Sequence, residues 1–170
     1  EWHLCTRNKE KLDALAKQYR VKHVHQSVEE LIEAGIEAVF IHTPTHTHGK
    51  LIHLMLENGI HVYVDKPVSE DLLETQQLYE FAEEKNCLLV AGFNRRFAPM
   101  IQKAKEIPEK NRLFIQKNRV NSSKGETAYM IYDLFIHPLD TALYLLDEEV
   151  TNVHSRVIEE EGNLKQVWVV

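Results

Sequence analysis

The hydrophobic positions of this chain change period every dozen residues or so. Trp2 to Thr6 alternates like a strand. Asn8 then stands where a side chain can cap a helix, and Leu12, Leu15, Ala16 and Tyr19 recur on one helical face. Ser27-x-x-Glu30 is a capping-box pattern ahead of a short helix that stops near Gly35. Ala38 to His42 reads as a strand broken by Thr43-Pro44-Thr45. Leu51, Ile52, Met55 and Leu56 form a helical stripe ended by Asn58-Gly59. Ile60 to Val64 is the next strand. Ser69 is positioned to cap a helix through about Lys85, with Leu78, Phe81 and Ala82 inward, and Cys87 to Phe93 follows as a strand.

Strands and helices therefore alternate about every 25 residues, the rhythm of a parallel, doubly wound α/β sheet. Ligands of such sheets bind beyond the carboxyl ends of the strands. Four such ends carry polar chemistry: Cys5-Thr6-Arg7, Thr43-Pro44-Thr45, Asp65-Lys66-Pro67 and Gly92 to Phe97 (GFNRRF). After Arg96 the rhythm changes. Leu113 to Asn121 reads as a strand and Tyr132 to Leu146 as a helix with Pro138 in its first turn or at a kink. Val153 to Ile158 and Leu164 to Val170 read as antiparallel strands about Glu161-Gly162-Asn163. This predicts a doubly wound, Rossmann-like α/β domain over residues 1–98 and the beginning of a second, α+β domain over 99–170. Both ends read as unfinished, so a piece of a larger protein is expected.

Composition narrows the function classes. The 170 residues are 44% hydrophobic and 27% charged, with a net charge of -6. No basic block points to nucleic acid and no apolar run is long enough for a membrane span. Two cysteines without metal spacing fit a reduced, cytoplasmic protein. His42, His46, His48 and His53 are dense, but no carboxylate or cysteine shares the spacing of His46-x-His48, so no metal site is expected.

The sharpest chemistry is Lys66 with Asp133 and His137. Asp133-x-x-x-His137 puts both side chains on one helical face, where a carboxylate can orient an imidazole for proton transfer. An ammonium nearby would polarise a carbonyl or stabilise an alkoxide. The plain alternative is a helix-surface Asp–His pair and a lysine in a surface turn.

The stretch from Val39 to Met100, with its T-P turn, downstream histidine, D-K-P and G-F-N-R-R-F, followed by Asp133, His137 and Asp140 as D-x-x-x-H-x-x-D, resembles the Gfo/Idh/MocA oxidoreductases. The resemblance implies an NAD(P)-dependent oxidoreductase acting on a sugar, cyclitol or other small hydroxy or carbonyl substrate, and a homo-oligomer, dimer or tetramer, formed through the C-terminal sheet. It assigns Lys66 to substrate and nicotinamide ribose, His137 to proton transfer, Asp133 as the neighbour of His137 or a ligand of a substrate hydroxyl, and Asp140, one turn on, as a supporting residue. It also implies that residues 1–98 are a dinucleotide-binding Rossmann domain and 99–170 the beginning of a substrate and oligomerisation domain with a mainly antiparallel sheet. Thr43, Pro44, Thr45 and His48 would lie along the cofactor, as would Asp65, which stands where the family usually has Glu, and Asn94 with Arg95 or Arg96. Phe135 replaces a residue that is often small.

The glycine-rich G-x-G-x-x-G phosphate loop does not occur in the chain. It and the strand before it are expected to precede Glu1, which makes Trp2 to Thr6 the second strand of the domain; its tip reads Thr6-Arg7-Asn8-Lys9 in place of the acidic residue that holds the ribose hydroxyls of NAD. A hydroxyl, a guanidinium and an ammonium suit a 2′-phosphate, so NADP(H) is expected over NAD(H). A non-catalytic, nucleotide-sensing protein on the same fold is the alternative; such a protein would be expected to have lost Lys66 or His137.

Overall fold

The computed structural model describes residues 1–118, 127–146 and 148–170. Their contacts fall into two compact units, one of Glu1–Val64 with Asp71–Val90, the other of Asp65–Glu70 with Ala91–Val170.

The first unit is the Rossmann-type α/β body. β1 (His3–Cys5) pairs in parallel with β2 (His23–His25), and β3 (Ala38–Ile41) in parallel with β4 (His61–Val64). β5 (Leu89–Ala91) lies beside β4 in the order β3-β4-β5. Parallel strands need crossovers, and helices supply them. α1 (Lys9–Tyr19) starts where Asn8 accepts the Lys11 amide at 2.9 Å. Leu12 of α1 is buried, but Tyr19, expected on the same inward face, is 65% exposed. α2 (Val28–Glu33) is capped by Ser27, and Glu30 reaches back to the amide of Gln26 at 2.9 Å.

The core lies under α3 (His48–Glu57) and β4. Ile52, Leu56, Val62 and Val64 are fully buried, as the stripe on α3 and the alternation on β4 require. Each contributes about 1.5–3 kcal/mol of burial. The chain leaves α3 through Gly59 at φ 71°, a left-handed position that a Cβ would strain, and the Ile60 amide returns to the Met55 carbonyl. α4 (Leu72–Glu84) buries Leu78 and Ala82, while Phe81 stacks on His53 at 4.5 Å. Its cap is Asp71, not Ser69: the Asp71 carboxylate accepts the Glu74 amide at 2.7 Å.

The second unit begins with the strap Asp65–Glu70, where Pro67 and Val68 are buried and the Lys66–Pro67 peptide is cis. A 3-10 turn (Asn94–Phe97) leads into α5 (Pro99–Lys105). Residues 111–118 form no strand, although Leu113 to Asn121 reads as one; positions 119–121 of that reading lie outside the described residues. The helix expected from Tyr132 is composite: α6 (Thr127–Met130), a π-helical turn (Ile131–Phe135) and α7 (Ile136–Leu146). β6 (Ser155–Glu160) and β7 (Asn163–Val169) form an antiparallel hairpin. Its two-residue turn places Glu161 and Gly162 at positive φ, the geometry that matches hairpin twist. Among the described residues no helix is long and apolar enough to cross a membrane.

Candidate functional site

The second unit gathers the residues of the candidate active site. Lys66 follows directly on β4, and its side chain is 14% exposed. Its Nζ donates to the Asp133 carboxylate at 2.9 Å and to the Asp133 backbone carbonyl at 2.8 Å. Asp133 sits inside the π-helical turn and His137 in the first turn of α7, so the local register that presents the imidazole is a widened one. The His137 carbonyl accepts the Thr141 hydroxyl at 2.8 Å.

The electrostatics at His137 follow from this packing. Burial lowers its pKa to about 4, and Arg95, Lys66 and Lys117 push it the same way, while Asp133 opposes them. An imidazole in this setting is neutral at pH 7. The sequence places Asp133 as the orienting partner of His137; in the structure its Oδ1 is turned to Lys66.

The 3-10 turn that carries GFNRRF divides its residues. Asn94 and Arg95 are exposed. Arg96 is engaged with Asp140: its Nε donates to the two carboxylate oxygens at 2.9 and 3.0 Å, and its Nη2 donates to Oδ1. The guanidinium also faces the rings of Phe93 and Tyr144, each 5.5 Å from its centre. Asp140 is buried, so this pair anchors α7 to the turn. Sequence reasoning did not single out Lys117. Its Nζ donates to the Leu134 carbonyl at 3.2 Å, in the same turn. The signal for it was Pro138, which has no amide hydrogen to offer that carbonyl.

The first unit holds the remaining expected residues. Thr6 follows β1, and its amide bonds the His25 carbonyl at 3.2 Å. Its hydroxyl accepts the amide of Asn8 at 3.4 Å, Asn8 caps α1, and Arg7 between them is exposed. Thr43-Pro44-Thr45 leaves β3 into a 3-10 turn, where the hydroxyls of Thr43 and Thr47 meet at 2.7 Å and Thr47 donates to the Pro44 carbonyl. His48 is 1% exposed, with its Nε2 2.9 Å from the Thr43 carbonyl, so it ties the turn to the start of α3. Asp65, part of the second unit, is half-buried beside Lys66.

Among the described residues, Glu1, His3 and His23 place one ligand-type atom each within 4.8 Å of one another. The rings of His3 and His23 stack at 4.6 Å and 13°, and His3 meets His25 at 2.9 Å. Stacked rings direct their nitrogen lone pairs along parallel planes rather than to one point, so the set is built as an imidazole stack.

Comparison with known proteins agrees with this fold. The sequence profile of a family described as "Oxidoreductase family, NAD-binding Rossmann fold" matches residues 2–93. The scyllo-inositol 2-dehydrogenase (NAD(+)) of Bacillus subtilis is 31% identical over 93% of this chain and 52% of its own length. The UDP-N-acetylglucosamine 3-dehydrogenase of Acidithiobacillus ferrooxidans is 27% identical over 95% of this chain and 53% of its own. The crystal structure of a Gfo/Idh/MocA family oxidoreductase from Vibrio cholerae superposes with a TM-score of 0.86 at 31% identity, covering 99% of this chain and 56% of that one. The chain spans about half the length of the curated relatives it matches.

Proposed function

This chain belongs to the Gfo/Idh/MocA family of oxidoreductases, and from that premise we propose that its full-length protein moves a hydride between a nicotinamide cofactor and a sugar, cyclitol or related small hydroxy or carbonyl compound. The observation that carries the reading is the juxtaposition of Lys66 with Asp133 in the turn before a neutral His137. Lys66 donates to the substrate oxygen and stabilises the negative charge that grows there. His137 takes the hydroxyl proton during oxidation and returns it during reduction. Asp133 holds the ammonium of Lys66 in place.

The nicotinamide cofactor would supply the hydride acceptor or donor. Thr43, Pro44 and Thr45 would hold it at the end of β3, a turn rich in hydroxyls with no carboxylate in its own sequence from His42 to Lys50, while the buried His48 would act only by bracing that turn through the Thr43 carbonyl. That composition suits a polyanion. Asp65, Asn94 and Arg95 would flank it, whereas Arg96 serves Asp140. Thr6, Arg7 and Asn8 would meet the adenosine ribose, and an exposed guanidinium without an acidic neighbour at Thr6 or Asn8 favours the 2′-phosphate of NADP(H). Residues 1–98 would act as the nucleotide domain and 99–170 as the start of the substrate domain, whose β6–β7 sheet, with Trp168 and Val157 exposed, would join copies into an oligomer.

The test is a fluorescence titration of the full-length protein with NADPH and NADH in parallel, then a screen of polyols for turnover. Tighter NADPH binding and turnover that disappears in Lys66→Ala support the reading. Tighter NADH binding overturns the cofactor choice, and a fully active Lys66→Ala overturns the mechanism.

A further inference from the structure

Two successive carbonyls in the turn before His137 are each held by a lysine from elsewhere in the second unit. The Asp133 carbonyl accepts Lys66 at 2.8 Å and the Leu134 carbonyl accepts Lys117 at 3.2 Å. The cause is local and covalent. In α-helical register the Leu134 carbonyl would take the amide of residue 138, and in π-helical register the Asp133 carbonyl would take it as well. Residue 138 is proline in both cases, and proline has no amide hydrogen. The π-turn is real in its bonding, since the Ile136 amide reaches back five residues to the Ile131 carbonyl. A carbonyl left without its helical donor in a half-buried site needs another one.

We propose that Lys117 is a positioning residue for His137: by holding the Leu134 carbonyl it replaces the hydrogen bond that Pro138 removes and keeps the π-turn, and with it the imidazole, in one register. This rests on the reading of His137 as the proton-transfer group for its effect on turnover, although not for its effect on the imidazole itself. Lys117 acts on His137 in two ways. It fixes the backbone three residues before the imidazole, and its charge adds to burial, Arg95 and Lys66, against Asp133, in keeping His137 neutral. Lys66 and Lys117 come from separate segments of the second unit, one from the strap Asp65–Glu70 and one from the irregular stretch 111–118.

The experiment uses the full-length protein with Lys117→Met, Lys117→Gln and Lys117→Arg. The first readout is the NMR titration of the His137 imidazole, assigned by its loss in His137→Gln, and needs no turnover. The second is the split between kcat and KM on the best polyol. In Lys117→Met the midpoint of His137 rises from about 4 toward the ordinary value of 6.5. There kcat falls roughly tenfold to a hundredfold with KM little changed, as expected for a misplaced proton-transfer group. Lys117→Arg restores both. Lys117→Gln, neutral but still a donor to the Leu134 carbonyl, shows the rise that follows the lost charge yet keeps kcat near wild type, and it stands in if the Met variant does not fold. An unchanged kcat in Lys117→Met, or an equal loss of kcat in Lys117→Gln, overturns the proposal while leaving the oxidoreductase reading intact. A protein without turnover on any polyol removes that reading and leaves the titration to decide the role of Lys117.

Discussion

Lys66 and Asp133 are 67 residues apart in sequence, yet one ammonium bonds both the carboxylate and the carbonyl of that aspartate. Such a lysine is held by two acceptors and keeps one donor to spend. Removing it has unequal consequences for stability and for chemistry. Asp133 is 42% exposed, so water takes over its carboxylate, while its carbonyl loses the donor that stands in for Pro138; Lys66→Met should cost about 1–3 kcal/mol in urea unfolding. Turnover of the full-length enzyme should fall by roughly a hundredfold or more, since the lost group acts on charge that develops only during reaction. Parallel unfolding and kcat measurements check the contrast; equal losses in both would identify Lys66 as structural.

The pair of Arg96 and Asp140 carries the opposite expectation. The Asp140 side chain is 5% exposed and that of Arg96 40%. Removing the arginine strands a buried carboxylate, whereas removing the carboxylate leaves a guanidinium that water and the rings of Phe93 and Tyr144 still serve. Arg96→Met should therefore cost about 3–5 kcal/mol, and Asp140→Asn, which keeps an acceptor for Arg96, about 1–2 kcal/mol. Chemical denaturation of both variants gives the order, and a costlier Asp140→Asn would reverse the assignment of which partner is captive.

Much of the first unit was legible because its helices announce themselves through caps and its core strands through apolar alternation. β3, β4, α1 and α3 all follow that logic. β2 did not: His23-Val24-His25 has no apolar alternation, and it is a strand because its backbone completes the ladder with β1. The start of α4 was misplaced by two residues because Ser69 and Asp71 both precede Leu72. In the structure it is the Asp71 carboxylate that reaches the amide of Glu74, three residues on. In the second unit Leu113 to Ile115 are apolar but are not paired into a strand, so composition alone misled. The roles of Lys66, Asp133 and His137 could be suspected from residue type. That of Lys117 depends on a proline 21 positions later and on a π-turn, and neither leaves a periodic trace.

The cap at α4 can be tested directly. The Asp71 side chain satisfies the Glu74 amide, and its carbonyl accepts the Thr75 hydroxyl at 2.8 Å, so one residue closes the first turn in two ways. Only the first depends on the side chain. Asp71→Ala should lower stability by about 1 kcal/mol, and Asp71→Ser, another good cap, should recover most of it. Thermal unfolding of the two variants measures this; an Asp71→Ala protein as stable as wild type would mean that the amide finds water at no cost.

The pH dependence follows from His137. Its folded pKa of about 4 lies below the ordinary 6.5 of an imidazole in the unfolded chain. As pH falls through 6.5, the unfolded chain takes up the proton first, so folding is progressively disfavoured between 6.5 and about 4. The stability that depends on the neutral imidazole is fully present above 6.5 and is lost by about pH 4. A urea midpoint measured from pH 7.5 to 4.5 should decline, and His137→Gln, which does not titrate, should flatten part of that decline. The same sign governs activity. A base that stays neutral down to about pH 4 keeps alcohol oxidation running at pH 5 to 6, where an ordinary imidazole would already be protonated. An acid limb of kcat/KM for oxidation near 6.5 in the full-length enzyme would mean that substrate or cofactor returns His137 to its ordinary range, and the cations Arg95, Lys66 and Lys117 would then be screened from it in the working complex.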